Sequence, residues 1–377
     1  MRVFKGSTFI DNLTINDFEV YEDGKLQKIE AVYLIKKTKI ERKEEKKKFT
    51  PETNRHFYLF FQITEYTPRI GDALSYFFQN VLIPGDNLTI VTPMKTYRMK
   101  SQALEVLSKE EIVNQLKGML RGDAMMGSWE YRNAIYDMVS ISKALGASIS
   151  AIGVERQYLK MDKYGNISQY VGLEIEELLM HYAALLNKLD HIRFVDQQRI
   201  MDFAKYLKEK EGQKYVFLFY QREFIPQIEP RILAQYGDMY QDSPSIALTL
   251  SSLFGFYRRE ISVDINQIRQ AYADSSILIH FLFFTKPAEH ISGIRMTEHS
   301  EDIFATFMEM AKATGGSTES SANPSFLFKR AADASENYYL LYYAPLNYKR
   351  DGKFKNIKVK VKGKSYKVTH RAGYFAN

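Results

Sequence analysis

The feature that most constrains the fold of this chain is a set of continuous apolar runs separated by helical patterns. His56 to Phe61 (HFYLFF) is the first such run, and Tyr215 to Tyr220 and Ile277 to Phe284 are similar in length and in their lack of alternation. Continuous apolar strands are typical of a parallel sheet that is covered on both faces. The sequence therefore predicts an α/β, Rossmann-like fold with a mostly parallel central sheet.

Segments with helical periodicity lie between these predicted strands. Ser108 and Glu111 have the spacing of a capping box, which predicts a helix over Ser108 to Leu120. Gly212 and Gly315 are expected to stop the helices before them, because glycine readily adopts the left-handed conformation that ends a helix. The remaining predictions are helices at Pro68 to Leu82, Glu130 to Leu145, Asp302 to Thr314 and Pro324 to Glu336, and strands at Asn87 to Val91 and Tyr97 to Met99. Two more helices are predicted in the insertion, with apolar faces over Leu178 to Leu189 and Val195 to Leu207.

The two ends of the chain have the alternating pattern of antiparallel strands. Phe18 to Tyr21 and Leu26 to Leu34 flank the turn signal Asp23-Gly24, and residues 338–371 contain three similar strands. Because an isolated hairpin is marginally stable in water, we expect both ends to complete one small β-sandwich. The predicted organisation is a first part of the sandwich with a basic linker (1–48), an inserted α/β domain (54–337) with a helical insertion at about 147–211, and a second part of the sandwich (338–377).

The formal net charge of +7 is concentrated in two stretches. Lys36 to Lys48 mixes basic and acidic residues, as solvated linkers do. In Lys349 to Arg371, Lys358 and Lys360 alternate with apolar residues, which is typical of the wet face of a strand. No nucleic-acid recognition motif accompanies either stretch, so binding to nucleic acid is disfavoured.

Several function classes lack support in the sequence. The chain has no cysteine, which excludes disulfides and thiolate chemistry. Its longest apolar runs are far below the roughly 20 residues of a membrane span, and Met1 to Phe9 lacks the apolar core of a signal peptide. No Ser/His/Asp set can be assembled from sequence order, and the histidines show no paired metal spacing, so we expect neither an enzyme nor a cofactor.

The first apolar run opens a pattern that resembles a von Willebrand factor A domain. In that family the first strand ends in Asp-x-Ser-x-Ser, and these side chains hold a Mg²⁺ through which an acidic ligand binds. The three positions here read Gln62, Thr64 and Tyr66. Leu13 to Ile29 and Tyr338 to Ala376 are similar to the two ends of bacterial VWFA-related domain proteins. The resemblance implies an A-type domain inserted in the sandwich, and export to the periplasm or beyond; a cytoplasmic location stays open.

Two further segments carry the same resemblance. Gly127 to Ile135 (GSWEYRNAI) looks like the family's Gly-Gly-Thr-x-Leu-Tyr-Asp-Ala segment, with Trp129 at the position of the metal-binding Thr. Ser128 would take that position only if the alignment shifted by one residue. Gly212 to Glu223 (GQKYVFLFYQRE) looks like the segment that ends in the second metal-site Asp, which is replaced here by Gln221.

The replacements predict that the metal-ion-dependent adhesion site is vacated. Mg²⁺ requires hard oxygen ligands, usually with at least one carboxylate, and these positions supply none. The alternative is a divalent-metal-dependent adhesion protein that recruits the neighbouring acids Glu65, Glu130 and Glu223. Arg121-Gly122-Asp123, a cell-adhesion tripeptide elsewhere, is interpreted as a coincidence in a loop after a helix.

The substituted positions are rich in aromatic and amide side chains. Such groups anchor protein partners, although they can also simply fill a cavity. We favour a non-enzymatic protein-interaction or scaffold module that works without metal. Its candidate binding residues are Gln62, Thr64, Tyr66, Trp129, Gln221 and Phe224.

Overall fold

The protein was analysed as a computed structural model, which describes residues 1–99, 103–150, 170, 172–192, 194–256, 263–285, 287–288, 290–291, 294–298, 300–346, 348–363 and 365–377. It is a mixed α/β protein with one six-stranded, mostly parallel sheet and several small antiparallel sheets. The strands are β1 Arg2–Lys5, β2 Thr8–Phe9, β3 Phe18–Glu22, β4 Lys25–Gln27, β5 Ile29–Lys36, β6 Lys39–Glu45, β7 Arg55–Gln62, β8 Asn87–Val91, β9 Thr96–Met99, β10 Gln213–Gln221, β11 Phe224–Ile228, β12 Ile277–Phe284, β13 Ile294–Glu298, β14 Ser317–Ser321, β15 Asn337–Tyr343, β16 Phe354–Val361, β17 Lys367–Thr369 and β18 Gly373–Phe375.

The helices cover most of the connections between these strands. They are α1 Pro68–Tyr76, which continues as a π-helical turn over Phe77–Val81, α2 Ala103–Val106, α3 Lys109–Gly127, α4 Trp129–Ser150, α5 Ile175–Ile192, α6 Gln197–Lys208, α7 Pro230–Met239, α8 Pro244–Phe256, α9 Ile265–Asp274, α10 Glu301–Ala313 and α11 Pro324–Glu336.

The central sheet has the strand order β9-β8-β7-β10-β12-β14. All neighbouring pairs are parallel except β8 with the edge strand β9, which is antiparallel. The predicted mostly parallel sheet is therefore confirmed. β8 lies on one side of β7, and the next strand of this sheet in the chain after β8 and β9, β10, lies on the other side. The strand order therefore reverses between β7 and β10. α/β proteins bind ligands at such a reversal.

Helices cover both faces of this sheet, which explains why its central strands β7, β10 and β12 are largely apolar. Phe57, Leu59 and Phe61 of β7 lie in one buried cluster with α1, α3 and α11. Tyr58 and Phe60, which point to the opposite face, belong to a second cluster with α6, α9 and α10. Alternate residues of a strand point to opposite faces, so burial on both faces requires an unbroken apolar run.

The two chain ends pair with each other in three sheets. β1 pairs with β17, β3 with β16 and β5 with β15, all antiparallel. Asp23 and Gly24 both have positive φ, which is the geometry of the predicted hairpin turn. The apolar side chains of these sheets share one cluster that includes Val20, Tyr339 and Val359.

Two of the predictions about local structure in these segments are wrong. The stretch interpreted as a basic linker contains β6, which pairs with β5 through Ala31 to Lys36. Its alternating charges mark an exposed edge strand rather than a linker, since edge strands often carry charge. Gly212 does not stop α6, because that helix ends at Lys208 with Glu209 as its C-cap. Gly212 instead has φ +80° at the entrance to β10.

A separate cluster lies beside the central sheet. α4, α5, α7 and α8 pack together with the two-stranded sheet of β11 and β13 around Tyr182 and Tyr236, each fully buried. Of the predicted insertion (147–211), α5 belongs to this cluster and α6 packs on the central sheet, while 151–169 lie outside the described residues.

The end of the chain is held against the central sheet at the turn between α10 and β14. Gly315 has φ +76°, and a Cβ there would lie 2.7 Å from the carbonyl carbon of His370. The Ala372 N–H donates to the Ala313 carbonyl at 2.7 Å beside this contact. Among the described helices, none combines the length and the apolar character that a bilayer crossing requires.

Candidate functional site

The carboxyl ends of β7 and β10 meet at a hydrogen-bonded centre formed by Gln221. Its side-chain Oε1 accepts from the backbone N–H of Thr64 at 2.8 Å and from that of Glu65 at 2.9 Å. The Thr64 hydroxyl donates to the same oxygen at 3.2 Å. Gln221 is 6% exposed, so these bonds form away from water. The amide therefore fastens the loop after β7 to the end of β10.

This arrangement determines what the oxygen at position 221 can bind. With two N–H groups and one hydroxyl directed at it, Oε1 of Gln221 has its lone pairs committed to the protein. Donor hydrogens carry partial positive charge, which disfavours a cation at the same place. Thr64 and Gln221 thus come together as the sequence suggested, in contact with each other rather than as two ligands of an ion.

Ser128 is the residue that links the start of α4 to this centre. Its hydroxyl lies 2.8 Å from the Thr64 carbonyl and 2.6 Å from that of Ala124, and the residue is 4% exposed. Sequence alignment placed Trp129 here and kept Ser128 as the shifted alternative. The signal that could have identified Ser128 is its place between α3 and α4, where a hydroxyl can bond a free carbonyl.

Tyr66 lies near this centre in sequence but packs elsewhere. A Cβ at Gly71 would lie 2.5 Å from the Tyr66 hydroxyl and 3.0 Å from Cε of Lys117, so the ring sits between α1 and α3. Burial raises the pKa of Tyr66, and the negative charge of Asp72 raises it to a smaller extent. A Cβ at Gly71 would thus displace the Tyr66 hydroxyl, and Tyr66 contributes to the core on this side of the sheet.

Trp129 is on the surface, with 61% of its area exposed. Three methionines that are also exposed lie close to it. Met125 and Met126 precede it in the chain, and Met94 approaches Gly127, where a Cβ would be 3.4 Å from the Met94 Cγ. We name these four residues, Met94, Met125, Met126 and Trp129, the Met–Trp surface. Trp129 is therefore not a buried side chain that fills a cavity.

The other two candidate residues occupy different environments. Gln62 ends β7, pairs with Tyr220 in the sheet register and is exposed. Phe224 is half-buried at the start of β11, where the guanidinium of Arg222 lies 5.8 Å from its ring centroid. Arg222 also forms an ion pair with Glu298, with a Nε–Oε1 distance of 2.9 Å.

The acids that could have rebuilt a metal site do not converge. Glu65 and Glu130 are exposed, whereas Glu223 is buried and its N–H donates to the Ser300 hydroxyl at 3.1 Å. In the described part of the chain, no three acidic or histidine side chains come close enough to hold a metal ion.

The adhesion-like tripeptide at 121–123 lies inside α3, and the prediction that it occupies a loop is wrong. Asp123 is 7% exposed, and its Oδ2 accepts from the hydroxyls of Thr92 and Tyr97, both at 2.7 Å. This carboxylate ties β9 to α3. It is not displayed for a receptor.

Comparison with known proteins adds no family to these observations. No family model matches the chain, and no curated protein matches it.

Proposed function

We propose that this chain is a non-enzymatic protein-interaction module whose partner surface is the Met–Trp surface at the carboxyl end of the central sheet. The observation that carries the proposal is the 61% exposure of Trp129 beside Met125 and Met126, which are 58% and 61% exposed. Tryptophan is among the residues that dominate protein interfaces, and methionine adapts to varied partners. Clustered exposed apolar side chains are typical of interaction sites.

We further propose that the module is a von Willebrand factor A-type domain inserted in a small β-sandwich. The reversal of strand order between β7 and β10 and the antiparallel edge strand β9 support the first part. The pairing of both chain ends around a shared apolar cluster supports the second part. Export from the cell is proposed on the same family resemblance.

Metal independence is proposed because Gln221 accepts its hydrogen bonds from the loop after β7. A ligand at 100 times its dissociation constant stabilises a protein by about 2.7 kcal/mol. Melting of the full chain with and without Mg²⁺ or Mn²⁺ should show no saturable stabilisation. Saturable stabilisation would instead favour metal-dependent adhesion through Glu65, Glu130 or Glu223.

Partner binding can be tested with the natural reporter that the chain contains. Trp129 is the only tryptophan, so tryptophan emission, excited at wavelengths that tyrosine does not absorb, reports on this surface alone. The free protein should show the red-shifted emission of a water-exposed indole and strong quenching by acrylamide. A partner isolated with the full chain as bait should shift the emission to the blue and protect it from the quencher.

A matched substitution separates this surface from general stickiness. Trp129→Ala should weaken binding of the isolated partner by roughly 2 kcal/mol or more. Leu248→Ala removes another large apolar side chain that is 72% exposed, on α8, and should leave binding unchanged. Equal losses in the two variants would reject the Met–Trp surface as the specific site.

A further inference from the structure

A cavity of about 500 Å³ lies at the amino end of the central sheet, opposite the candidate site. Its walls are the starts of β10 and β12, the turn between α10 and β14, and the inner faces of β15 and β16. Pockets that bind small molecules have volumes of roughly 300–1,000 Å³. The cavity therefore has room for a small organic ligand.

The charge of this cavity is one-sided. Arg2, Lys214 and Arg371 line it, and none of its described lining residues is acidic. Arg2 and Lys214 expose only 3% and 4% of their surface. Burial of a charged group is costly unless an opposite charge or hydrogen bonds compensate for it. The cavity thus concentrates positive charge where water has limited access.

The contacts of two of these cations leave their charge uncompensated by the protein. The Lys214 ammonium donates to the Lys210 carbonyl at 2.6 Å, and no carboxylate oxygen of the described residues lies within 4.0 Å of it. Burial lowers the pKa of Lys214, and the negative charge of Glu52 opposes that shift. Arg371 donates to the Ser276 hydroxyl at 3.0 Å and lies 5.8 Å from the ring centroid of Tyr374.

A polar oxygen and several tyrosine residues complete the lining. Thr369 Oγ1 is buried, and no hydrogen-bond partner for it exists among the described atoms. A buried hydroxyl without a partner is unfavourable, and a ligand that accepts its hydrogen bond would remove this cost. The tyrosines that contribute to the walls are Tyr215, Tyr338, Tyr339, Tyr342 and Tyr343.

We propose that this cavity binds a small phosphate monoester, with the phosphate facing Arg2, Lys214 and Arg371 and the organic part against the tyrosine rings. A phosphate dianion matches several cations better than a single carboxylate does, and its oxygens accept charge-assisted hydrogen bonds. The hydroxyl of Thr369 supplies one further donor. This site is independent of the Met–Trp surface, because the two lie at opposite ends of the sheet.

The test uses phenyl phosphate as the probe in calorimetric titration of the full chain at low ionic strength. The unmodified protein should bind it saturably, at one site per chain. Lys214→Met and Arg371→Met should each weaken binding roughly ten- to hundredfold, because each removes a charge-assisted contact. Lys358→Met removes an exposed lysine of β16 and should bind as the unmodified protein does.

Three outcomes would overturn the proposal. The first is no saturable binding of phenyl phosphate, and the second is equal weakening in Lys358→Met, which would indicate nonspecific attraction. The third is binding of benzoate or inorganic phosphate as tightly as phenyl phosphate, which would assign the cavity to another anion. If Lys214→Met does not fold, the half-buried Arg371 supplies the decisive variant.

Discussion

The two ends of the central sheet differ in charge and in how the protein satisfies their polar groups. β10 shows the difference, because it has a hydrogen-bonded neutral amide at one end and a buried lysine at the other. At the carboxyl end of β10, the side-chain oxygen of the neutral Gln221 accepts three hydrogen bonds from the neighbouring loop. At the amino end, Lys214 is buried, and its ammonium donates to the Lys210 carbonyl. A strand rises about 3.3 Å per residue, so the two groups are roughly 23 Å apart.

The difference indicates where a ligand can still bind. A polar group that is fully satisfied by its own protein contributes to stability and gives a ligand little to interact with. A buried cation without a carboxylate lowers stability, and an anionic ligand can reverse that cost. The carboxyl end therefore offers a partner its exposed apolar side chains, whereas the amino end offers charge.

The largest predicted effect is at a cation of the amino end that is paired with a carboxylate. Arg55 opens β7, and its Nε and NH2 atoms lie 2.9 and 2.6 Å from the two carboxylate oxygens of Asp86. Both side chains are buried, with exposures of 0% and 1%. Asp86→Ala should destabilise the protein by about 3–5 kcal/mol, because Arg55 would stay buried without its counter-charge. Urea unfolding measures this loss.

Lys214→Met provides the comparison within the same end of the sheet. It removes a buried charge with no contacting carboxylate, so it should be neutral or stabilising in the absence of ligand. A loss as large as that of Asp86→Ala would mean that both cations are structural, and the contrast between paired and unpaired cations would fail.

The second effect concerns the amide at the carboxyl end. Gln221→Leu removes the acceptor of the Thr64 and Glu65 N–H groups and should cost about 1–3 kcal/mol. Hydrogen exchange at these two amides should accelerate at the same time. Gln62→Leu is the matched control, because Gln62 is exposed at the end of the neighbouring strand. It should cost less than about 0.5 kcal/mol.

Local patterns predicted much of the fold and little of this centre. The capping box at Ser108 and the strand at β7 were predictable because each depends on neighbouring residues. β14, whose sequence is STESS, has no apolar signal and is a strand through its pairing with β12. The bond from Thr64 to Gln221 joins residues 157 positions apart, which no local pattern encodes.

The same limit applies to side-chain direction at the site. The sequence placed Gln62, Thr64 and Gln221 at one end of the sheet, and the structure has them there. It could not show that Tyr66 turns between α1 and α3, because that direction depends on the space left by Gly71. It also could not distinguish Ser128 from Trp129, since a shift of one helical residue rotates a side chain by about 100°.

The third effect is a pH dependence of stability that arises from a histidine inside the central sheet. His280 of β12 is fully buried, its Nδ1 lies 2.9 Å from the Ser317 hydroxyl, and its Nε2 has no hydrogen-bond partner among the described atoms. Burial holds the pKa of His280 well below its ordinary 6.5, and the positive charge of Arg2 contributes to a smaller extent. The unfolded chain therefore binds a proton at a pH where the folded protein does not.

Protonation of His280 in the unfolded chain determines how the free energy of unfolding depends on pH. The contribution of His280 to stability is complete above about pH 6.5 and falls as the pH decreases below that value, by at most about 1.4 kcal/mol per pH unit. Burial also lowers the pKa values of His56 and His370, which act in the same direction. Unfolding of His280→Gln between about pH 7.5 and 5.5 should show a shallower slope than the unmodified protein. An unchanged slope would contradict the assignment to His280.

The smallest predicted effect on stability is at Trp129, although this residue has the largest predicted effect on partner binding. Because Trp129 is 61% exposed at the start of α4, Trp129→Ala removes little buried area, and alanine favours a helix. The free energy of unfolding should change by less than about 0.5 kcal/mol.

Tyr131, two residues further along α4, is 8% exposed, and its hydroxyl lies 3.4 Å from the Phe224 carbonyl. Tyr131→Ala should cost about 3–5 kcal/mol, as removal of a buried aromatic does. If denaturant unfolding shows similar losses for the two variants, Trp129 is part of the core and the carboxyl end does not present an apolar surface to a partner.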